Sequence, residues 1–228
     1  MRRLFQPVFV LFLTLFAALA QAGALDAISS GDASAGVKEA LNKGADYAVA
    51  SLGKNGGFLG NDKVKIPLPG YLQKAESALR MFGMGKQADQ LVETMNHAAE
   101  NAVAVAKPVL VESIRKMSVQ DAKGILTGGE DSVTQYFKRT STEQLTAKFM
   151  PIVKKETGKL QLADQYNKFA GKAASAGLIE QKDADIDSYV TQKAMDGLFL
   201  MIAEEEKKLR SNPVAAGSAL LSKVFGAL

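Results

Sequence analysis

The chain carries one imidazole, His97, the only kind of side chain whose ordinary pKa lets it exchange a proton near neutral pH. On a helix it shares a face with Gln90, Thr94 and Asn101, opposite Leu91, Met95 and Ala99. That spacing predicts a solvent-facing histidine with nothing to hold it as a base. The carboxylates offer a second chemistry. Glu205 falls between Ile202 and Leu209 on the apolar stripe of a long helix, and a carboxylate on a buried face must be paired or have its pKa raised. With Asp196 or Glu100 it could act as an acid or hold a metal. The reading preferred from sequence is a structural ion pair with Arg80 or Arg115. Asp89, Glu93, Asn96 and Glu100 line one helix edge at spacings of four, three and four, where a cation could bridge them to a second helix. A solvated polar face accounts for the same spacing.

Other patterns fail on their own terms. Ser51-Leu52-Gly53-Lys54 and Ser113-Ile114-Arg115-Lys116 both fit S-x-x-K, but the companion S-D-N and K-T-G strings are absent, so chance spacing in a lysine-rich chain explains them. Asp183-Ala184-Asp185-Ile186-Asp187 suggests a calcium loop, yet the required Gly and Glu are replaced by Ser188 and Ala194. Acids at a helix start are the simpler account. Gly128-Gly129 could offer free N–H groups to an anion, but Glu130 and Asp131 fill the following turn and would repel it. The Gly53–Gly60 loop lacks the spacing of a phosphate-binding loop and follows a helix rather than a strand.

The elements that must position these groups are helices. Ala, Leu, Lys, Gln and Glu dominate, and apolar residues recur at three and four rather than two. Helices are expected over about 34–52, from Gly70 through Phe82 (Leu72, Ala75, Leu79 and Phe82 on one face), and over about 86–106. A short helix follows Pro108, and another is capped at Ser118. One carrying Val133 and Phe137 comes next. A capping box at Ser141-Thr142-Glu143-Gln144 opens the helix of Leu145, Phe149, Ile152 and Val153, which Pro151 kinks or restarts. Leu162, Tyr166, Phe169, Ala170 and Ala173 mark the next, then a long helix over about 186–210 and a final one over about 214–225. The one long irregular segment, about 53–69, contains Ile66-Pro67-Leu68-Pro69, with Phe58, Ile66 and Leu68 tucked under the body. The fold class is therefore all-α, a compact bundle of about eight or nine helices in one domain over residues 23–228.

Residues 1–22 read as a cleaved secretory signal: Arg2 and Arg3, an apolar stretch from Leu4 to Ala20, and the small-x-small exit Ala20-Gln21-Ala22. The expected address is the periplasm. Removing the leader lowers the formal charge of +4 to +2, and the remaining cations alternate with acids, so no nucleic-acid footprint is left. No Trp and no Cys occur in 228 residues, which excludes disulfides, thiolate nucleophiles and lipid attachment to cysteine. No cofactor is expected, and no transmembrane segment in the mature chain.

Several strings together resemble the exported bacterial family DUF4197: Gly36-Val37-Lys38-Glu39-Ala40-Leu41, Ile66-Pro67-Leu68-Pro69, Met95-Asn96-His97-Ala98-Ala99-Glu100, the run from Ile125 to Asp131, Tyr136-Phe137, and the run from Tyr189 to Phe199. The resemblance spans nearly all of the mature chain. It implies an all-helical periplasmic protein and supplies no activity, substrate or catalytic residue.

Three functions follow in order. The first is a non-enzymatic binding or accessory protein holding a hydrophobic ligand or lipid between helices, supported by Met and Phe on several stripes. The second is an envelope scaffold docking a partner protein through the last helix, by Val214, Leu220, Leu221, Val224 and Phe225. The third is a carboxylate- or metal-dependent enzyme centred on Glu205, Asp196 or Glu100, which requires two acids converging in a cleft.

Overall fold

A computed structural model describes residues 28–177 and 185–227; the expected leader and Asp183 of the acidic string lie outside the described residues. Nine α-helices and one 3₁₀ turn are present among the described residues, and no strand: α1 Ser30–Leu52, α2 Gly70–Met81, α3 Gly85–Val103, α4 Lys107–Lys116, α5 Val119–Thr127, α6 Ser132–Thr157, α7 Gln161–Ser175, α8 Ile186–Ser211, the 3₁₀ turn Pro213–Ala216, and α9 Ala219–Phe225. The all-α expectation holds.

The longest helices form the centre. α8 packs on α6, α1 and α3, and α6 also lies along α3. α4 and α5 cover α1 and α6, and α9 closes over α1. A continuous apolar core runs through all of these, filled by Leu41, Leu91, Phe137, Phe149, Leu198 and Ile202 among others. Small residues permit close approach: a Cβ on Gly36 would lie 2.6 Å from the Val224 side chain, so α9 can settle on α1 only over a glycine. α2 packs chiefly on α3, and α7 on α3 and α8, so both are peripheral.

Four boundaries differ from the sequence expectation. α1 starts at Ser30, because the Ser29 hydroxyl accepts from the Asp32 N–H and caps it earlier. Residues 132–157 form one helix, not two. Ser141 is buried and bonds the Ser113 hydroxyl, while Thr140, Thr142 and Thr146 donate to the carbonyls of Tyr136, Lys138 and Thr142. Of the hydroxyls that looked like a cap, that of Ser141 is taken by α4 and that of Thr142 by the preceding turn. Pro151 sits inside the helix without ending it, its ring outward and Phe149 and Val153 buried on either side. The final segment is two pieces, the 3₁₀ turn and α9, separated by Gly217 at φ 68°.

On α2 the expected apolar face is only partly realised. Leu72 is buried, but Phe82 lies one residue past the helix end and is exposed; the side chains of Ala75 and Leu79 lie outside the described set. The same holds for Phe169 and Ala173 on α7, where Leu162, Tyr166 and Ala170 are buried as the spacing requires.

Candidate functional site

The irregular segment 53–69 is not loose. It turns through short backbone bonds, Gly57 N–H to Lys54 O, Asn61 N–H to Phe58 O and Val64 N–H to Asn61 O, and then runs extended through Lys65–Pro69. Gly57 is obligatory there, since a Cβ would collide with the Leu52 carbonyl oxygen. Phe58, Val64, Ile66 and Leu68 point inward and are buried, whereas Lys65 and Pro67 face out, a period of two that fits an extended strap over a helical floor.

Two residues of α3 hold this strap from beneath. Asn96 is fully buried and treats Ile66 as a strand partner would: its Oδ1 accepts the Ile66 N–H at 2.8 Å and its Nδ2 donates to the Ile66 carbonyl at 2.9 Å. One turn on, Glu100 is 3% exposed, and its Oε1 accepts from the N–H groups of Phe58 (2.9 Å) and Leu59 (3.1 Å). Its other oxygen, Oε2, lies 2.7 Å from Nδ1 of His97. Burial pushes the Glu100 carboxyl up, but bonds from His97, Phe58 and Leu59 outweigh it and hold the group below its ordinary value. Tyr189 of α8 adds a hydroxyl bond to the Pro67 carbonyl, and Gly197 of α8 leaves the space that the Phe58 ring occupies.

His97 is thus not the unheld surface histidine expected. Its side chain is 37% exposed, but Glu100 stands three residues on and Glu93 four residues back, with Glu93 Oε1 at 3.8 Å from Nε2. The two acids were legible at helical spacing and mark the pair. The buried carboxylate fixes Nδ1 inward and leaves Nε2 toward Glu93 and the outside.

Open clefts flank the strap. One of about 480 Å³ has a floor of Leu59, Pro67, Leu68, Ala88 and Val92 and a charged rim of Lys65, Glu76, Arg80, Asp89 and Glu93. A second, of about 560 Å³ on the other side, is lined by Pro67, Leu68, Gln73, Tyr189, Lys193 and Asp196. Arg80 ties α2 to α3, bonding Asp89 at 2.7 Å and Glu76 at 2.8 Å; these contacts raise its own pKa, and Arg80 in turn lowers that of Asp89. A third cleft, about 420 Å³, lies between α5 and the start of α6 and is bordered by Asp121, Asp131 and Arg139. By contrast, the pocket at Ala40, Gly44, Ile202 and Phe225 encloses only about 10 Å³, too little for a ligand between the helices.

The carboxylates named from sequence do not converge. Glu205 is part-exposed and pairs with Lys208 at 3.3 Å; the buried acid of α8 is its neighbour Glu206, at 2% exposure. Glu206 accepts the N–H groups of Val133 (2.9 Å) and Thr134 (3.1 Å), which opens α6, and is neutralised by Arg210 at 3.1 Å. An ion pair was the right kind of partner, but neither the acid nor the arginine was the one expected. Both glutamates sit three or four residues from Ile202 and Leu209, so periodicity alone does not separate them; Arg210 four residues after Glu206 is the signal that does. Asp196 is exposed, accepts from Gln192 and borders the second cleft. Asp89 and Glu93 face the first cleft while Asn96 and Glu100 turn to the strap, and no group of three or more His, Asp or Glu among the described residues is arranged to hold a metal ion. The enzyme reading loses the convergence it required.

The docking surface expected on the last helix is also corrected. Leu221, Val224 and Phe225 are buried against α1 and the core, and Leu220 is half-buried; only Val214, in the 3₁₀ turn, is exposed. Val224 lies over Gly36, so the apolar side of α9 is consumed by the fold. Among the described residues no helix is long and apolar enough to cross a membrane.

A family model described as a protein of unknown function, DUF4197, matches residues 27–226. No curated protein and no solved structure gives a match.

Proposed function

The chain belongs to the DUF4197 family, and we propose that it works in the periplasm as a non-enzymatic binding protein whose ligand, a hydrophobic molecule or lipid, lies in the cleft between the strap and the α2–α3 pair. One observation carries the reading. The apolar floor of this cleft, Leu59, Pro67, Leu68, Ala88 and Val92, is braced from behind by two buried polar side chains, Asn96 and Glu100, that hold the backbone of the strap. Preorganised walls lower the ordering cost of binding, and a volume of about 480 Å³ is in the range of small-molecule sites. The rim suits an amphiphile: Lys65, Glu76, Arg80, Asp89 and Glu93 offer both signs of charge to a polar head, while the chain of the ligand lies on the apolar floor. This replaces a ligand between helices with one on the surface of the bundle, where the open volume is about 480 Å³ against about 10 Å³ at Ala40, Gly44, Ile202 and Phe225.

The test is native mass spectrometry of the protein purified from its own envelope fraction, followed by lipid extraction. The expected result is a copurifying amphiphile that is lost in Gln73→Trp. Gln73 is exposed and lines both clefts, so the indole fills the space without disturbing the core. A clean unliganded mass for the native protein overturns the reading.

A further inference from the structure

We propose that the corner joining α2 to α3 is a membrane-contact tip that seats the protein on an anionic phospholipid surface. It rests in part on the cleft reading, since the tip places the mouth of that cleft at the bilayer. Met81 and Phe82 are adjacent and 86% and 82% exposed, the two most exposed bulky apolar side chains among the described residues; the next, Val214, stands alone. α2 ends at Met81, and Gly83 reverses the chain at φ 75°, a conformation that favours glycine, so both side chains are carried outward at a convex corner. A convex pair of this kind inserts between headgroups, whereas a protein partner needs a surface of matching shape.

The charge around the corner agrees with a lipid occupant. Lys74, Glu76, Arg80, Lys86 and Asp89 sum to +1. Both acids are already engaged by Arg80, which leaves Lys74 and Lys86 exposed with no ion pair among the described residues. Apolar side chains that reach the acyl boundary, with one exposed lysine on each of the two helices that meet at the corner, are the chemistry of interfacial binding to anionic lipid. Arg80 borders the cleft and directly precedes Met81, so the corner and the cleft mouth share one end of α2.

The experiment is co-flotation of the purified protein with vesicles of phosphatidylcholine alone or with phosphatidylglycerol added. Binding is expected to the mixed vesicles and to fall with salt. Met81→Ser with Phe82→Ser should weaken it by about tenfold or more, and Lys74→Gln or Lys86→Gln by about fivefold each. Thermal melts should not move, since these side chains are outside the core. The Met81/Phe82 double variant should still copurify with the amphiphile of the cleft, which separates tip from cleft. Absence of binding to the anionic vesicles, or equal binding by the Met81/Phe82 double variant, overturns the tip, while a copurifying amphiphile in the native protein would still support the cleft.

Discussion

Glu100 and Glu206 perform the same operation on two different segments and differ in the side chain that answers each. Both are buried carboxylates, and both accept two consecutive backbone N–H groups from a segment distant in sequence: Phe58 and Leu59 for one, Val133 and Thr134 for the other. Glu206 caps the first turn of α6, where helix N–H groups have no partner of their own, and a permanently charged, largely buried Arg210 balances it. Glu100 holds a strap, and its partner is a part-exposed imidazole. The first arrangement is closed on every side by protein, with Arg210 also bonded to Ile125 and Ser132. The second sits beside an open cleft and is answered by a part-exposed side chain, so it is the one whose loosening would reach a ligand.

The largest effect should therefore be at Glu206. Glu206→Ala leaves two helix N–H groups uncapped and Arg210 without its acid, with a loss of about 3–5 kcal/mol in urea unfolding. Glu206→Gln restores an acceptor for the backbone but not the charge, so it should recover part of that loss. A Glu206→Ala variant as stable as the native protein would remove the distinction between the two clamps.

Gly197→Ala should come next, at about 1–3 kcal/mol. An added Cβ would stand 2.7 Å from the Phe58 ring, which is fully buried and has no free end to swing aside. Hydrogen exchange should show the loss concentrated in residues 57–66, with α6 unchanged. Uniform loss across the bundle would mean that the strap is not a separate unit of stability.

Sequence showed the helices well and the clamps poorly, for one physical reason. A helix writes its buried face into its own spacing, and the stripes of α1, α3 and α8 could be read directly. A clamp is written half in one segment and half in another, since Glu206 meets Val133 and Asn96 meets Ile66 through backbone atoms that carry no residue signature. Phase errors of one residue then matter: Glu205 and Glu206 fit the same stripe, and only the second reaches the start of α6. The strap was legible as a prolyl segment with Phe58, Ile66 and Leu68 inward, but Asn96 entered as a member of a polar edge and Glu100 as that or as a candidate acid, neither as a holder of the strap. Ser141 misled because a hydroxyl before a glutamate reads as a cap whether it opens a helix or, as here, turns to a hydroxyl of a neighbouring helix.

Glu100→Gln should cost about 1 kcal/mol near neutral pH, because the amide oxygen still accepts from Phe58 and Leu59 while the charge facing His97 is lost. Its pH dependence gives the sharper reading. The folded-state pKa of Glu100 lies below its ordinary 4.5, so its contribution is complete above that value and disappears as pH falls through the folded one. The gap between native protein and Glu100→Gln in urea unfolding should hold from about pH 7 to 5 and close as the solution becomes more acid. A gap that widens in acid would show that the carboxyl, and not the carboxylate, is the form the strap selects.

The smallest effect is expected at His97. Its ring is 37% exposed and screened by water, so His97→Ala should cost less than about 1 kcal/mol even though the contact with Glu100 is 2.7 Å. What it contributes should depend on Glu100 being charged. In a double-mutant cycle the effect of His97→Ala should be nearly abolished in the Glu100→Gln background, whereas Arg210 substitutions should keep their full cost there because they belong to the other clamp. If His97→Ala were as damaging as Glu206→Ala, the imidazole would be acting as a buried cation like Arg210, and the strap would be as fixed as α6. If the cycle showed no coupling, the Phe58 and Leu59 N–H groups would hold Glu100 without help, and His97 would be free to face whatever enters the cleft beside Glu93.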